Sequence, residues 1–146
     1  MKYNYWLLFL LLLPICWSCN RKSAKTTVKP PGLQDTLSIK YNATLQLPEE
    51  ELELKFTSIK DDRCPKTVNC FQAGQAKVNI AVTKGSALKN IVLEAKGGCY
   101  KMDGSCGDLA YALGYKVQLL GIEPYPMAPK DQKLVENSVL MLVVNK

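Results

Sequence analysis

Apolar and polar residues alternate along most of this chain. Leu37, Ile39 and Tyr41 alternate with polar neighbours, Asn42 stands where a turn is needed, and Leu45 and Leu47 follow. Beyond Pro48 and the acids Glu49, Glu50 and Glu51, the residues Leu52, Leu54 and Phe56 alternate with Glu53, Lys55 and Thr57. A period of two predicts strands with one face buried and one face wet. Ala76, Val78, Ile80 and Val82 repeat the pattern, Lys84-Gly85-Ser86 turns the chain, and Leu88 to Ala95 returns, which predicts a hairpin. Tyr111 to Ile122 contains a strand with Tyr115, Val117 and Leu119 on one face. The segment Glu123-Pro124-Tyr125-Pro126-Met127-Ala128-Pro129 cannot be a central strand, because its prolines withdraw ladder donors. Val139 to Val144 is a nearly continuous apolar run, as expected of a strand covered on both faces. No stretch has helical periodicity. The pattern therefore predicts an all-β domain over residues 36–146, a β-sandwich of about six to eight antiparallel strands with Greek-key or immunoglobulin-like connections.

Residues 61–74 stand out between two alternating runs. They read Asp-Asp-Arg-Cys-Pro-Lys-Thr-Val-Asn-Cys-Phe-Gln-Ala-Gly, a corner with a cysteine near each side and a closing glycine. A second glycine-rich segment, 97–107, holds Cys99 and Cys106. Four cysteines allow three pairings. The local ones, Cys64–Cys70 and Cys99–Cys106, each close a short loop of turn-forming residues and are the expected disulfides. A zinc site is the rival, but zinc cysteines usually lie two to four residues apart, and the gaps here are five and six. No metal or other cofactor is therefore expected.

The N-terminus has a different character. Met1-Lys2-Tyr3-Asn4 precedes an apolar run from Tyr5 to Ile15, then Cys16-Trp17-Ser18-Cys19. A basic start, a short apolar run and a small residue before a cysteine form an export signal. The run is too short to span the roughly 30 Å hydrocarbon core as a helix. Its ending resembles the lipobox of bacterial lipoproteins, and that resemblance implies cleavage after Ser18 and a lipid on Cys19. Trp17 and Cys16 depart from the usual small and aliphatic residues. Residues 1–18 are then a signal peptide and 19–35 a lipidated cysteine with a polar, basic tether ending in Pro30-Pro31-Gly32. Two acyl chains suffice for stable anchoring without a span.

Charge adds little. The net charge is +6, but Lys2, Arg21, Lys22, Lys25 and Lys29 precede residue 36 against one acid, Asp35. The remaining 14 basic and 12 acidic residues leave the domain at +2, and no basic patch interleaved with aromatics points to nucleic acid. The chain has no histidine. That removes the commonest general base and every Ser-His or Cys-His nucleophile, so no enzyme and no catalytic residue are expected. Among the carboxylates, Glu49, Glu50, Glu51 and Glu53 read as a solvated turn, Asp103-Gly104 as a tight turn, and Asp61 and Asp62 as caps of the corner in an ion pair with Arg63. Tyr125 and Met127, set between prolines, are either exposed apolar contacts for a partner or side chains tucked against the sandwich.

The corner Asp61-Asp62-Arg63-Cys64-Pro65, then Cys70-Phe71-Gln72-Ala73-Gly74 and an alternating strand, resembles a signature of small exported bacterial proteins, many of them lipoproteins. The likeness extends over roughly residues 36–146, with Pro124-Tyr125-Pro126 and the last apolar strand in place. Asp62 stands where serine is usual and Gln72 where tryptophan is common, while Cys99 and Cys106 are additions. The resemblance implies an exported all-β domain and no particular chemistry. The expectation is a membrane-anchored lipoprotein whose domain binds or builds in the cell envelope, at the periplasmic face of the outer membrane, since Asn20 and no acidic run follows Cys19. The alternatives are a protease-inhibitor-like or ligand-capture module presenting the 99–106 or 124–129 loop, and a carboxylate-dependent enzyme using Asp61, Asp62 or the 49–53 acids.

Overall fold

Every alternating run forms a strand in the computed structural model, which describes residues 32–128 and 133–146. The strands are β1 (Leu37–Lys40), β2 (Thr44–Leu47), β3 (Leu52–Asp61), β4 (Gln75–Lys84), β5 (Ala87–Lys96), β6 (Leu109–Ala112), β7 (Tyr115–Glu123) and β8 (Val139–Asn145). A 3-10 turn at Pro48–Glu50 and a one-turn helix α1 (Lys133–Asn137) are the described helical elements. Cys19, the rest of the leader and tether through residue 31, and Pro129 lie outside the described residues.

Two four-stranded sheets form, in the orders β1-β8-β7-β6 and β2-β3-β4-β5, and all pairings are antiparallel. The all-β sandwich expected from the sequence is what forms, with both local disulfides, Cys64–Cys70 and Cys99–Cys106. Its connections are simpler than the Greek-key ones expected. Read around the sandwich, β2-β3-β4-β5 is followed by β6-β7-β8, and β1 closes against β8. Strands that follow one another are neighbours within a sheet or pass from one sheet to the other at its edge, through tight turns at β4–β5 and β6–β7 and longer connections after β3, β5 and β7.

The core is the set of inward residues that the period of two selects. Leu54, Phe56, Val78, Ile80, Val82 and Leu93 face Ile39, Val117, Leu119, Leu140, Leu142 and Val144, all fully or nearly fully buried. Burying a side chain of this size contributes roughly 1.5–3 kcal/mol. β8 is central in its sheet, but only one face is covered: Val139, Met141 and Val143 point outward and are half-buried. The expectation of two buried faces is corrected accordingly, because neighbouring side chains shield the outer row only in part.

One hairpin is invisible to the pattern. Ala112 pairs with Tyr115 across Leu113-Gly114, and Leu113 has φ 52°. A branched leucine in the left-handed region is uncommon, so the turn between β6 and β7 carries no turn-like first residue.

At one end of the sandwich a polar clasp joins the sheets. The buried Tyr115 at the start of β7 donates its hydroxyl to Glu50 Oε2 at 2.6 Å and accepts from Lys84 Nζ at 2.7 Å. Lys146 Nζ reaches the same Glu50 oxygen at 3.4 Å. The Tyr115 hydrogen bond holds the Glu50 carboxyl below its ordinary value, against partial desolvation and with help from Lys146 and Lys84. The same hydroxyl raises Lys84, helped by the charges of Glu50 and Glu51. A lowered carboxylate stabilises the fold above its unfolded value, and that stability is lost as pH falls through the folded one. A raised lysine stabilises below its unfolded value and is lost as pH rises through the folded one. The clasp should therefore weaken below the ordinary glutamate value of 4.5 and above the ordinary lysine value of 10.5. In thermal melts across pH, Tyr115→Phe should lower the melting temperature by a few degrees at neutral pH and flatten the acid limb below that glutamate value. An acid limb as steep as in the parent would contradict the clasp.

Candidate functional site at the disulfide end

The opposite end is built around one short-range ion pair. Asp61 is the last residue of β3, and its Oδ1 accepts from the Arg63 backbone N–H at 3.1 Å, folding the chain back on itself. The same carboxylate takes the guanidinium in a fork, Nε to Oδ1 at 2.9 Å and Nη2 to Oδ2 at 2.6 Å. Both side chains are buried, at 3% and 10% exposure. The guanidinium then crosses to the other sheet. Nη1 donates to the Ile122 carbonyl at 3.0 Å and Nη2 to the Pro124 carbonyl at 3.3 Å, and the Tyr125 ring lies 4.5 Å from its Cζ. β6 pairs with β7 only from Tyr115 to Gln118, so the Ile122 carbonyl at the far end of β7 needs another donor. Arg63 supplies it.

The corner is packed on this pair. Asp62 N–H donates to Gln75 and Cys64 N–H to Ala73, both carbonyls of the returning arm. Gly74 makes the turn at φ 66°, and a Cβ there would sit 1.9 Å from the Asp62 carbonyl oxygen, so no side chain fits. Gly97 N–H donates to the Gly74 carbonyl and fastens the corner to the second cysteine loop. On the other side, Lys66 N–H donates to Pro126 and the Thr67 hydroxyl to Met127, again to carbonyls.

Of the two readings open for Tyr125, the tucked one holds: it is 6% exposed, because Arg63 stacks on its ring, Tyr100 packs against it at 4.7 Å, and its hydroxyl accepts from Gly98 N–H at 2.8 Å. Met127, open to the same two readings, is 53% exposed. The 99–106 loop exposes Tyr100 and part of Met102. Met102 lies on the outer face of β7 where Gly121 leaves room, and a Cβ at 121 would be 2.1 Å from its sulfur. Cys106 is buried.

The most exposed large apolar residue there is Phe71, directly after Cys70, with its side chain wholly exposed at 102%. Val68, Tyr100 and Met127 are exposed on the same end, and Lys66 Nζ sits 4.9 Å above the Tyr100 ring. Sequence reasoning included Phe71 in the corner motif and missed its exposure. The available signal was an aromatic beside a pinned cysteine with no alternating apolar neighbour to share a buried face.

The carboxylates are dispersed. Asp61 is held by Arg63, and Asp62 points outward to Lys60 at 3.0 Å. Glu50 belongs to the far clasp, while Glu49 and Glu51 are exposed. Asp103 accepts from the hydroxyl and N–H of Ser105, which hold it below its ordinary value. Among the described residues no three metal-ligating side chains converge. The cavity beside Arg63, Tyr100, Met102 and Tyr125 measures about 10 Å³, room for one water at most. An open depression of about 340 Å³ is lined by Gln75, Glu94, Lys96, Gly107 and Asp108, and another of about 240 Å³ by residues 46–48 and 51–53.

No protein family, curated protein or solved structure matches the chain.

Removing one partner of a buried ion pair strands the other charge, at a cost of about 3–5 kcal/mol. Arg63→Ala should therefore lose stability of that order in urea unfolding. Cys64→Ser, which opens a short loop, should lose only about 2 kcal/mol in the chain-entropy model. The reverse ranking would show that the bridge, not the ion pair, secures this end.

Proposed function

We propose that this chain is a lipid-anchored, non-catalytic domain of the bacterial cell envelope that meets a protein partner through its disulfide end. The observation that carries the reading is Phe71, fully exposed on a covalently pinned corner that Arg63 fastens to both sheets. Aromatic side chains, Phe among them, are enriched at the cores of protein interfaces relative to the rest of the surface. Val68, Tyr100 and Met127 are further exposed apolar side chains on the same end.

The path of the chain supports the same orientation. Gln34 N–H donates to the Val144 carbonyl, and β1 begins with Leu37 opposite Leu142. The N-terminal segment thus joins the domain at the Tyr115 end, and an anchor on Cys19 would leave the disulfide end as the part farthest from the attachment point. The lipobox-like residues Ser18 and Cys19 support the anchor, and a histidine-free sequence with dispersed carboxylates supports a non-catalytic role. The inhibitor-like alternative shares this end of the domain, since Tyr100 of the 99–106 loop and Met127 of the 124–129 loop are exposed there while Tyr125 is buried.

A photo-crosslinking residue at position 71 in intact cells should capture a discrete protein adduct, and the same residue at Glu51, on the opposite end, should not. No adduct from position 71, or equal adducts from both, would sink the partner reading. Mass spectrometry of the membrane-extracted protein should find a diacylglyceryl thioether on Cys19 as the first residue. An unmodified Cys19, or a mature start elsewhere, would remove the anchor.

A further inference from the structure

The hairpin β4–β5 fixes which backbone groups of β5 are free. Lys84 and Ala87 flank a two-residue turn and form a hydrogen-bonded pair, so Ala87, Lys89, Ile91, Leu93 and Ala95 spend their N–H and C=O groups on β4. The intervening residues point theirs to the other edge. Two of them are used there: Lys96 N–H donates to the Cys106 carbonyl and the Glu94 carbonyl accepts from Asp108 N–H, around the bridge of Ala95 with Gly107. Leu88, Asn90 and Val92 remain, and no strand among the described residues pairs with that edge.

The other edges are short or capped. β1, β2 and β6 have four residues each, and short edges resist pairing. On β6, Leu109 N–H is taken by the Asp108 side chain and the Tyr111 carbonyl by Lys89 Nζ, at 2.8 and 2.9 Å. That second contact bridges β5 to β6 through the Lys89 side chain. Leu88 and Val92 point to the outer face and are 62% and 52% exposed.

The turn bounds the free stretch on one side and the 106–108 segment bounds it on the other, so the stretch is centred on Asn90. An antiparallel pairing of two identical strands must oppose residues on the same face. One register uses all three free residues: Asn90 opposite Asn90, and Leu88 opposite Val92 twice. It exchanges two hydrogen bonds at each of three pairs and sets the exposed leucine of one copy beside the exposed valine of the other.

We infer that the free edge of β5 is a self-association site, where a second copy of this chain adds its β5 about a two-fold axis at Asn90. The two four-stranded sheets then become one continuous sheet. This inference is independent of what the disulfide end binds.

The register is testable with cysteines on the full exported chain in mild detergent. Across the axis two residues at position 90 have Cα atoms about 5.5 Å apart, inside the disulfide range of 4.4–6.8 Å. Asn90→Cys should give a covalent dimer under mild oxidation, at least tenfold more than Val92→Cys, whose mate lies about 13 Å along the strand. Equal yields, or none from Asn90→Cys, would overturn the proposal. In sedimentation the parent should show a concentration-dependent dimer. Asn90→Pro, which removes only an edge-facing N–H, should be monomeric with a melting temperature within a few degrees of the parent; if that variant fails to fold, the cysteine comparison still decides. A parent that stays monomeric at every concentration, including one that instead captures an unrelated extended peptide, would overturn it too.

Discussion

The guanidinium of Arg63 has to be satisfied inside the protein, and the disulfide end is arranged to do so. A buried arginine requires an acid and several acceptors, since desolvating it alone costs several kcal/mol. Asp61 provides the acid two residues away in the chain, and the Ile122 and Pro124 carbonyls provide acceptors from the other sheet. A buried ion pair of this kind is weak evidence of net stabilisation, because apolar replacements often do as well. What it supplies here is a unique arrangement: only one placement of the 61–74 corner over the 122–125 segment satisfies both partners. Tyr125 follows, buried by the cation on one face and Tyr100 beside it.

β7 is held by side chains of the opposing sheet at both of its ends. At its start, Tyr115 is gripped by Glu50 and Lys84, which follow β2 and close β4. Near its finish, the Ile122 carbonyl is gripped by Arg63, just past β3. The apolar core between them fixes the spacing of the sheets but is nearly indifferent to their sliding, because dispersion and hydrophobic burial are not directional. Two directional contacts at opposite ends of one strand remove that freedom. They also give the ends different chemistry. The Tyr115 clasp joins a carboxylate and an ammonium through one phenol hydroxyl, whereas the Arg63 end joins a guanidinium to one carboxylate and two backbone carbonyls.

Much of this was legible in the sequence, and the failures have physical causes. The period of two located all the long strands, because each has one face in the core; Leu52, Leu54 and Phe56 are buried as the alternation required. The cysteine pairs were readable because short loops limit their choices. The β6–β7 turn was not, since Leu113 adopts a conformation its side chain disfavours and the β7 register enforces it. Strand order was not, because periodicity reports a face and never a neighbour. The burial of Tyr125 stayed undecided because its proline neighbours say only that the segment is irregular; the cation that buries it lies some sixty residues upstream. Asp61 and Arg63 were readable as a local pair, and their reach to β7 was not, as it depends on tertiary register alone.

The disulfide and the ion pair at the corner do different physical work. The Cys64–Cys70 bridge closes a seven-residue ring and narrows the conformations of that ring, but a ring on a loose stem still points in many directions. Arg63 fixes the stem. Its backbone and side chain both bind Asp61, so the chain leaves β3 at one angle, and its far side is tied to β7. Phe71 lies just beyond the ring, so its backbone is placed by both contacts: the bridge confines Cys70 beside it, and Arg63 ties the stem of the corner to β7.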